Sequence, residues 1–228
     1  MIAKDFHAAA VRAGWTRGQR YAWDQVVALK DHKTTVGEPY DSLYSNFEDF
    51  IKRVGAQVAI TAAEVVLRKI EDGEDPYVPC YRVFLKYDKH STKKIESGNW
   101  RLINATDFIM MFLQLHVLGP FVAAESVHPR VLVHVTPRRW REIIVQRIGS
   151  RKTSGIDFSD YDETESASVI YALVLRLAEC GGASENLSKF FARASAFTWI
   201  VDKAGNLVEK AGGNGSGQWL TSTVWSMR

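Results

Sequence analysis

Residues Phe108 to Ala124 form the most apolar stretch of the chain, and Asp107, Gln114, His116 and Pro120 interrupt it or stand at its edge. A segment apolar on every face has to be covered on all sides. It falls short of the roughly 20 clean apolar residues that a membrane-spanning helix needs, so it reads as a buried helix. Whatever this chain folds into must therefore surround that helix. The material is available, since 46% of the 228 residues are hydrophobic and 11% aromatic. That supports one large domain or two small ones.

Charged residues make up 24%, which excludes wholesale disorder, and the formal net charge of +3 permits nucleic-acid binding without arguing for it. Cys80 and Cys180 stand far apart and without companions, so neither a disulfide framework nor a metal-ligand spacing is present. The six histidines show no His-Glu-x-x-His or comparable spacing, which leaves a zinc enzyme without support. The N-terminal Met-Ile-Ala-Lys-Asp lacks an apolar core of signal-peptide type.

Along the chain, helices and strands mix without a regular βαβ alternation, which predicts an α+β architecture. Apolar residues recur at helical spacing from Phe47 to Ile70, and Glu71-Asp72-Gly73 ends the pattern. Tyr81 to Leu85 reads as a strand, Lys86 to Ser97 as a charged loop, and Trp100 to Ile103 as a second strand. Thr136 and Pro137 suit the N-cap and first turn of a helix, and 155–159 suits a short buried strand. Ser166 to Cys180 is the clearest helix, with Ile170, Leu173, Val174 and Leu177 on one face. Thr198–Val201 and Leu207-Val208 flank Asp202–Asn206 as a hairpin. The first fifty residues resist assignment, although Trp15, Tyr21 and Trp23 suggest anchoring against a larger body.

Three features carry chemistry. Asp157-Phe-Ser-Asp-Tyr-Asp162 gathers carboxylates where an apolar strand runs out, a placement that suits Mg²⁺ and phosphoryl transfer. The same acids equally suit capping of the following helix. Gly212-Gly-Asn-Gly-Ser-Gly217 lets a backbone approach a phosphate or a base closely, or simply links a hairpin to a helix. It matches neither the Walker loop nor the G-x-S-x-G elbow. Lys86, Lys89, His90, Lys93, Lys94 and Arg101 crowd one inter-strand connection, which could hold a triphosphate, track an RNA backbone, or form a solvated charged loop.

In their order along the chain, these features resemble the RNA-dependent RNA polymerases of positive-strand RNA viruses, sobemovirus and polerovirus types above all. Lys86 to Arg101 resembles the basic finger motif F, with Lys86, Lys94 and Arg101 at its basic positions. Gly155 to Asp162 looks like motif A, and Ser216-Gly217-x3-Thr221 looks like motif B. The resemblance covers roughly 77–228. It implies a right-hand polymerase fold with fingers and part of a palm, and no thumb. Fingers would span 1–150 (motif F at about 82–103) and an insertion at 183–212, and palm would span 151–182 and 213–228.

By the same resemblance, Asp157 would be the catalytic metal ligand for Mg²⁺ or Mn²⁺, and Asp162 would sit near the ribose 2′-hydroxyl. Lys86, Lys94 and Arg101 would neutralise the NTP triphosphate. Ser216 and Gly217 would flank the templating base, and Thr221 would support sugar selection. Partners would be the RNA template, the nascent strand and NTPs, with other viral replication proteins as further candidates, in the host cytoplasm. Trp225 stands where motif B normally has asparagine, Asn99 replaces a frequent basic residue, and the Gly-Asp-Asp of motif C does not occur. The expectation is that this polypeptide alone does not polymerise. The alternative is a non-catalytic RNA-binding protein with a polymerase-like finger fold.

Overall fold

The computed structural model describes residues 2–85, 92, 96, 102–125, 142, 145, 165–202 and 204–213. In chain order these hold α1 (Ile2–Arg12), α2 (Trp23–Leu29), a 3-10 turn (Tyr40–Ser42), α3 (Phe47–Val54), α4 (Ala56–Glu71), β1 (Cys80–Leu85) and β2 (Leu102–Thr106). Then come α5 (Phe108–Glu125), α6 (Ala167–Cys180), α7 (Glu185–Ala196), β3 (Phe197–Val201) and β4 (Leu207–Ala211).

The all-round apolar segment is α5, and its two sides serve two cores. Met110, Leu113, Val117, Leu118, Phe121 and Val122 pack with residues of α4, α6 and α7. Phe108, Phe112 and Leu115 pack instead with Val26, Val36, Phe47, Phe50, Ala59 and Ala63. A helix between two cores has no solvent face to keep polar, which is why its sequence shows no amphipathic stripe.

The N-terminal aromatics anchor on this helix. Pro120 lies inside α5 and has no N–H to give to the carbonyl of His116. That carbonyl accepts instead from the Tyr21 N–H at 3.0 Å. His116 returns the contact through Nδ1, 2.7 Å from the Tyr21 carbonyl, and stacks on Trp23 with centroids 3.9 Å apart. Gly119 leaves room for the Tyr21 ring, which a Cβ there would meet at 2.5 Å. Trp15 is buried edge-on to Phe121 at 5.0 Å.

The helical pattern of 47–70 is interrupted where Gly55 adopts φ +94, so α3 and α4 are separate helices. Asn46 caps α3 and Ser166 caps α6, each accepting from the backbone N–H three residues on. On α6, Ile170, Val174 and Leu177 are buried and Leu173 packs against them. Helix α7, capped by Ser184, lies along α6; the sequence reading did not anticipate it.

The four-stranded sheet has the order β2-β1-β3-β4. Strands β1 and β2 pair antiparallel, β1 and β3 parallel, and β3 and β4 antiparallel as the expected hairpin. The mixed sheet agrees with an α+β class. Within the charged connection the two described residues, Thr92 and Glu96, are helical rather than looped. The strand expected at 155–159 lies outside the described residues.

Candidate nucleotide and metal site

All eight residues singled out from the sequence (Lys86, Lys94, Arg101, Asp157, Asp162, Ser216, Gly217 and Thr221) lie outside the described residues. The structure describes the frame from which their segments depart.

The basic segment leaves from one hairpin. Leu85, which precedes Lys86, and Leu102, which follows Arg101, are register partners across β1 and β2. Arg82 of β1 ties this hairpin to the N-terminal region, with its Nη1 2.9 Å from Glu38 Oε1 and 3.9 Å from Asp41 Oδ2. Asp41 also accepts from the Gly37 N–H at 2.9 Å and from the Thr35 hydroxyl. Lys30 is held near the same residues. It is 4% exposed, sits over the Phe47 ring and reaches the Thr35 carbonyl at 3.3 Å. Burial lowers its pKa to about 8, against the pull of Asp31 and Asp41.

Where β2 meets α5, Asp107 is buried and accepts from the Met110 N–H at 2.9 Å, capping the central helix. Burial raises its carboxyl to about 7, although backbone donors oppose the shift. Gly37 crosses directly above it, where a Cβ would lie 2.3 Å from the Asp107 Cα. The base of the basic connection is thus tied to the N-terminal region by an ion pair on β1 and to the core by a helix cap after β2.

The acidic and glycine-rich segments share a second anchor. Glu165 is the first described residue after 157–162, and Gly213 the last before 216–221. The Gly213 N–H donates to the Glu165 carbonyl at 2.8 Å, and the Gly212 N–H donates to the Ala196 carbonyl at 2.9 Å. Two segments about fifty residues apart in sequence therefore depart from one hydrogen-bonded point.

Sequence reasoning missed Arg82, Glu38, Asp41 and the Glu165 contact, because partners so far apart leave no local pattern. The sequence reading placed Asp107 only at the edge of the apolar stretch and missed its role as a cap, although an aspartate immediately before an apolar run is an N-cap signal. Among the described residues no group of three or more His, Cys, Asp or Glu could hold a metal, so they offer no rival to the acids at 157–162. No described helix is long and apolar enough to cross a membrane.

This frame, a mixed sheet with helices gathered around α5, is a polymerase fold. A solved Sicinivirus 3Dpol RNA dependent RNA polymerase superposes on it with a TM-score of 0.76 at 15% identity, covering 99% of this chain and 50% of that one. The chain thus spans half the length of the polymerase it matches. The model of the viral RNA-dependent RNA polymerase family matches residues 19–227, and the chain belongs to that family. No curated protein matches it.

Proposed function

We propose that this chain carries the triphosphate-binding, sugar-selecting and part of the metal-binding machinery of an RNA-directed RNA polymerase working in the host cytoplasm. The reaction is template-directed attack of an RNA 3′-hydroxyl on the α-phosphate of an NTP. What supports the reading above all is the family match across 19–227, which contains the basic, acidic and glycine-serine segments in one order.

In this reading Lys86, Lys94 and Arg101 neutralise the triphosphate, and Asp162 accepts a hydrogen bond from the ribose 2′-hydroxyl. Ser216 and Gly217 border the templating base, and Thr221 supports the sugar contacts. Residues 1–150 and 183–212 form fingers, and 151–182 and 213–228 form palm. The carboxylate of Asp157 is a hard oxygen donor and fits Mg²⁺ or Mn²⁺. When bound, a pair of such ions supplies charge neutralisation at the transferring phosphate. The other work is positioning, done by this chain's own residues. With no Gly-Asp-Asp in the chain, it does not extend a primer by itself.

The test is a titration of GTP into the chain with and without Mn²⁺. Asp157→Ala is expected to weaken the metal-dependent binding on the order of tenfold, about 1.4 kcal/mol, and to leave the metal-independent part alone. Equal metal dependence in the two proteins would remove Asp157 from the site and with it the polymerase reading of 155–162.

A further inference from the structure

The point at which the acidic and the glycine-serine segments depart is built with a specificity that a mere linker does not need. Gly212 and Gly213 follow one another at φ +76 and +66, a backbone conformation that L side chains rarely adopt. Gly212 is also closely covered. A Cβ there would lie 2.7 Å from the Glu165 carbonyl oxygen and 3.0 Å from the Ala167 N. All of these neighbours are backbone atoms at the start of α6, which cannot rotate away as a side chain could. The pair is fixed from the other side by the Gly212 N–H to Ala196, the last residue of α7. Only a chain without Cβ at 212 can pass between the start of α6 and the end of α7 and still deliver its next N–H to Glu165.

We propose that Gly212 and Gly213 form a backbone latch on Glu165 that sets where the glycine-serine loop begins relative to the acidic segment, so that both glycines are positioning residues for the nucleotide site. The proposal rests on the polymerase reading for its consequence, but the latch is measurable without any nucleotide. Gly205 supplies the control. It also has positive φ, +86, in the β3–β4 turn, yet a Cβ there meets nothing within 4 Å. Gly205→Ala therefore carries the backbone strain without the collision.

The experiment places spin labels at Ser159→Cys and Gln218→Cys in the full chain, with Cys80 and Cys180 replaced by serine, and measures the label–label distance distribution by pulsed electron resonance. The latch predicts that Gly205→Ala leaves the parent distribution unchanged, while Gly212→Ala shifts it or broadens it about twofold, as one local anchor gives way to a wider ensemble. Should Gly212→Ala fail to fold, a semisynthetic chain with glycolic acid in place of Gly213 deletes only the N–H donor, adds no volume, and is expected to broaden the distribution likewise. An unchanged distribution in the folded Gly212→Ala chain or in the ester chain overturns the proposal. The polymerase reading fails separately, if Asp157→Ala leaves metal-dependent GTP binding intact.

Discussion

Asp107→Asn separates a helix cap from a buried charge. The carboxyl accepts from the Met110 N–H at 2.9 Å, and the asparagine amide oxygen can do the same without titrating. Burial raises the Asp107 pKa from 3.8 to about 7, so between those values the folded chain keeps a proton that the unfolded chain has released. Where the folded state binds more protons, stability falls as pH rises. At about 1.4 kcal/mol for each pH unit, the gap is worth about 4 kcal/mol, lost between about pH 4 and 7 and constant above.

His116 acts in the opposite sense. Burial lowers its pKa to about 4, so the unfolded chain is the better proton acceptor from there up to the ordinary histidine value of about 6.5, and stability rises with pH over that range. Asp107, at the N-cap of α5, and His116, on α5, lie nine residues apart, about 14 Å at 1.5 Å per residue, so their effects add. Tyr40, Tyr77 and Cys80 face Asp107 with pKa values raised first by burial and then by its charge, which keeps their titration above the window. Urea midpoints from pH 4 to 8 are therefore expected to change little for the parent chain up to about pH 6.5 and to climb for Asp107→Asn. The variant should be the more stable by up to about 4 kcal/mol at pH 8. Parallel profiles for the two proteins would refute a buried, protonated Asp107.

Gly37→Ala brings a Cβ to within 2.3 Å of the Asp107 backbone at φ +87, whereas Gly14→Ala at φ +90 meets open space. Denaturant melts should show about 1 kcal/mol lost at Gly14 and clearly more at Gly37. Phe112, fully buried between α3 and α4, should cost about 3–5 kcal/mol on replacement by alanine, read from the same melts. If Lys86, Lys94 and Arg101 each meet an RNA phosphate, single-stranded RNA affinity should fall with salt at a log–log slope of about −2, and Lys94→Gln should reduce the slope by about 0.7. A slope unchanged in that variant would take Lys94 off the RNA backbone and leave it the triphosphate contact alone.

How much of this was legible in the sequence follows from the range of the forces involved. Helix α6 was readable because its start, its apolar face and its stop are all local: Ser166, then Ile170, Val174 and Leu177, then Gly181-Gly182. The β3–β4 hairpin was readable for the same reason, with Asp202 accepting from the N–H groups of Ala204 and Asn206 in the turn. Helix α7 escaped because Asn186, Ser188 and Ser195 blur its apolar face. Ser188 and Ser195 are nonetheless buried against α6 and its surroundings, where packing rather than polarity decides. The Gly55 break escaped because a glycine within a helical pattern is compatible with either a tolerated residue or a cap, and only its φ of +94 decides.

At the site the division is sharper. The residues proposed to do chemistry sit in short local patterns, and these were what the sequence offered. The contacts that hold those patterns in place are between segments remote in sequence, such as Arg82 with Glu38 and Gly213 with Glu165. Each of these anchors lies within a few residues of a chemical segment and belongs to the packed frame around α5, α6 and α7 rather than to the segment itself. A backbone amide bonded to a carbonyl forty-eight residues away constrains a loop's origin without constraining its side chains, so sequence change in the loop remains compatible with the same departure point. That separation of frame from chemistry fits a fold retained at 15% identity.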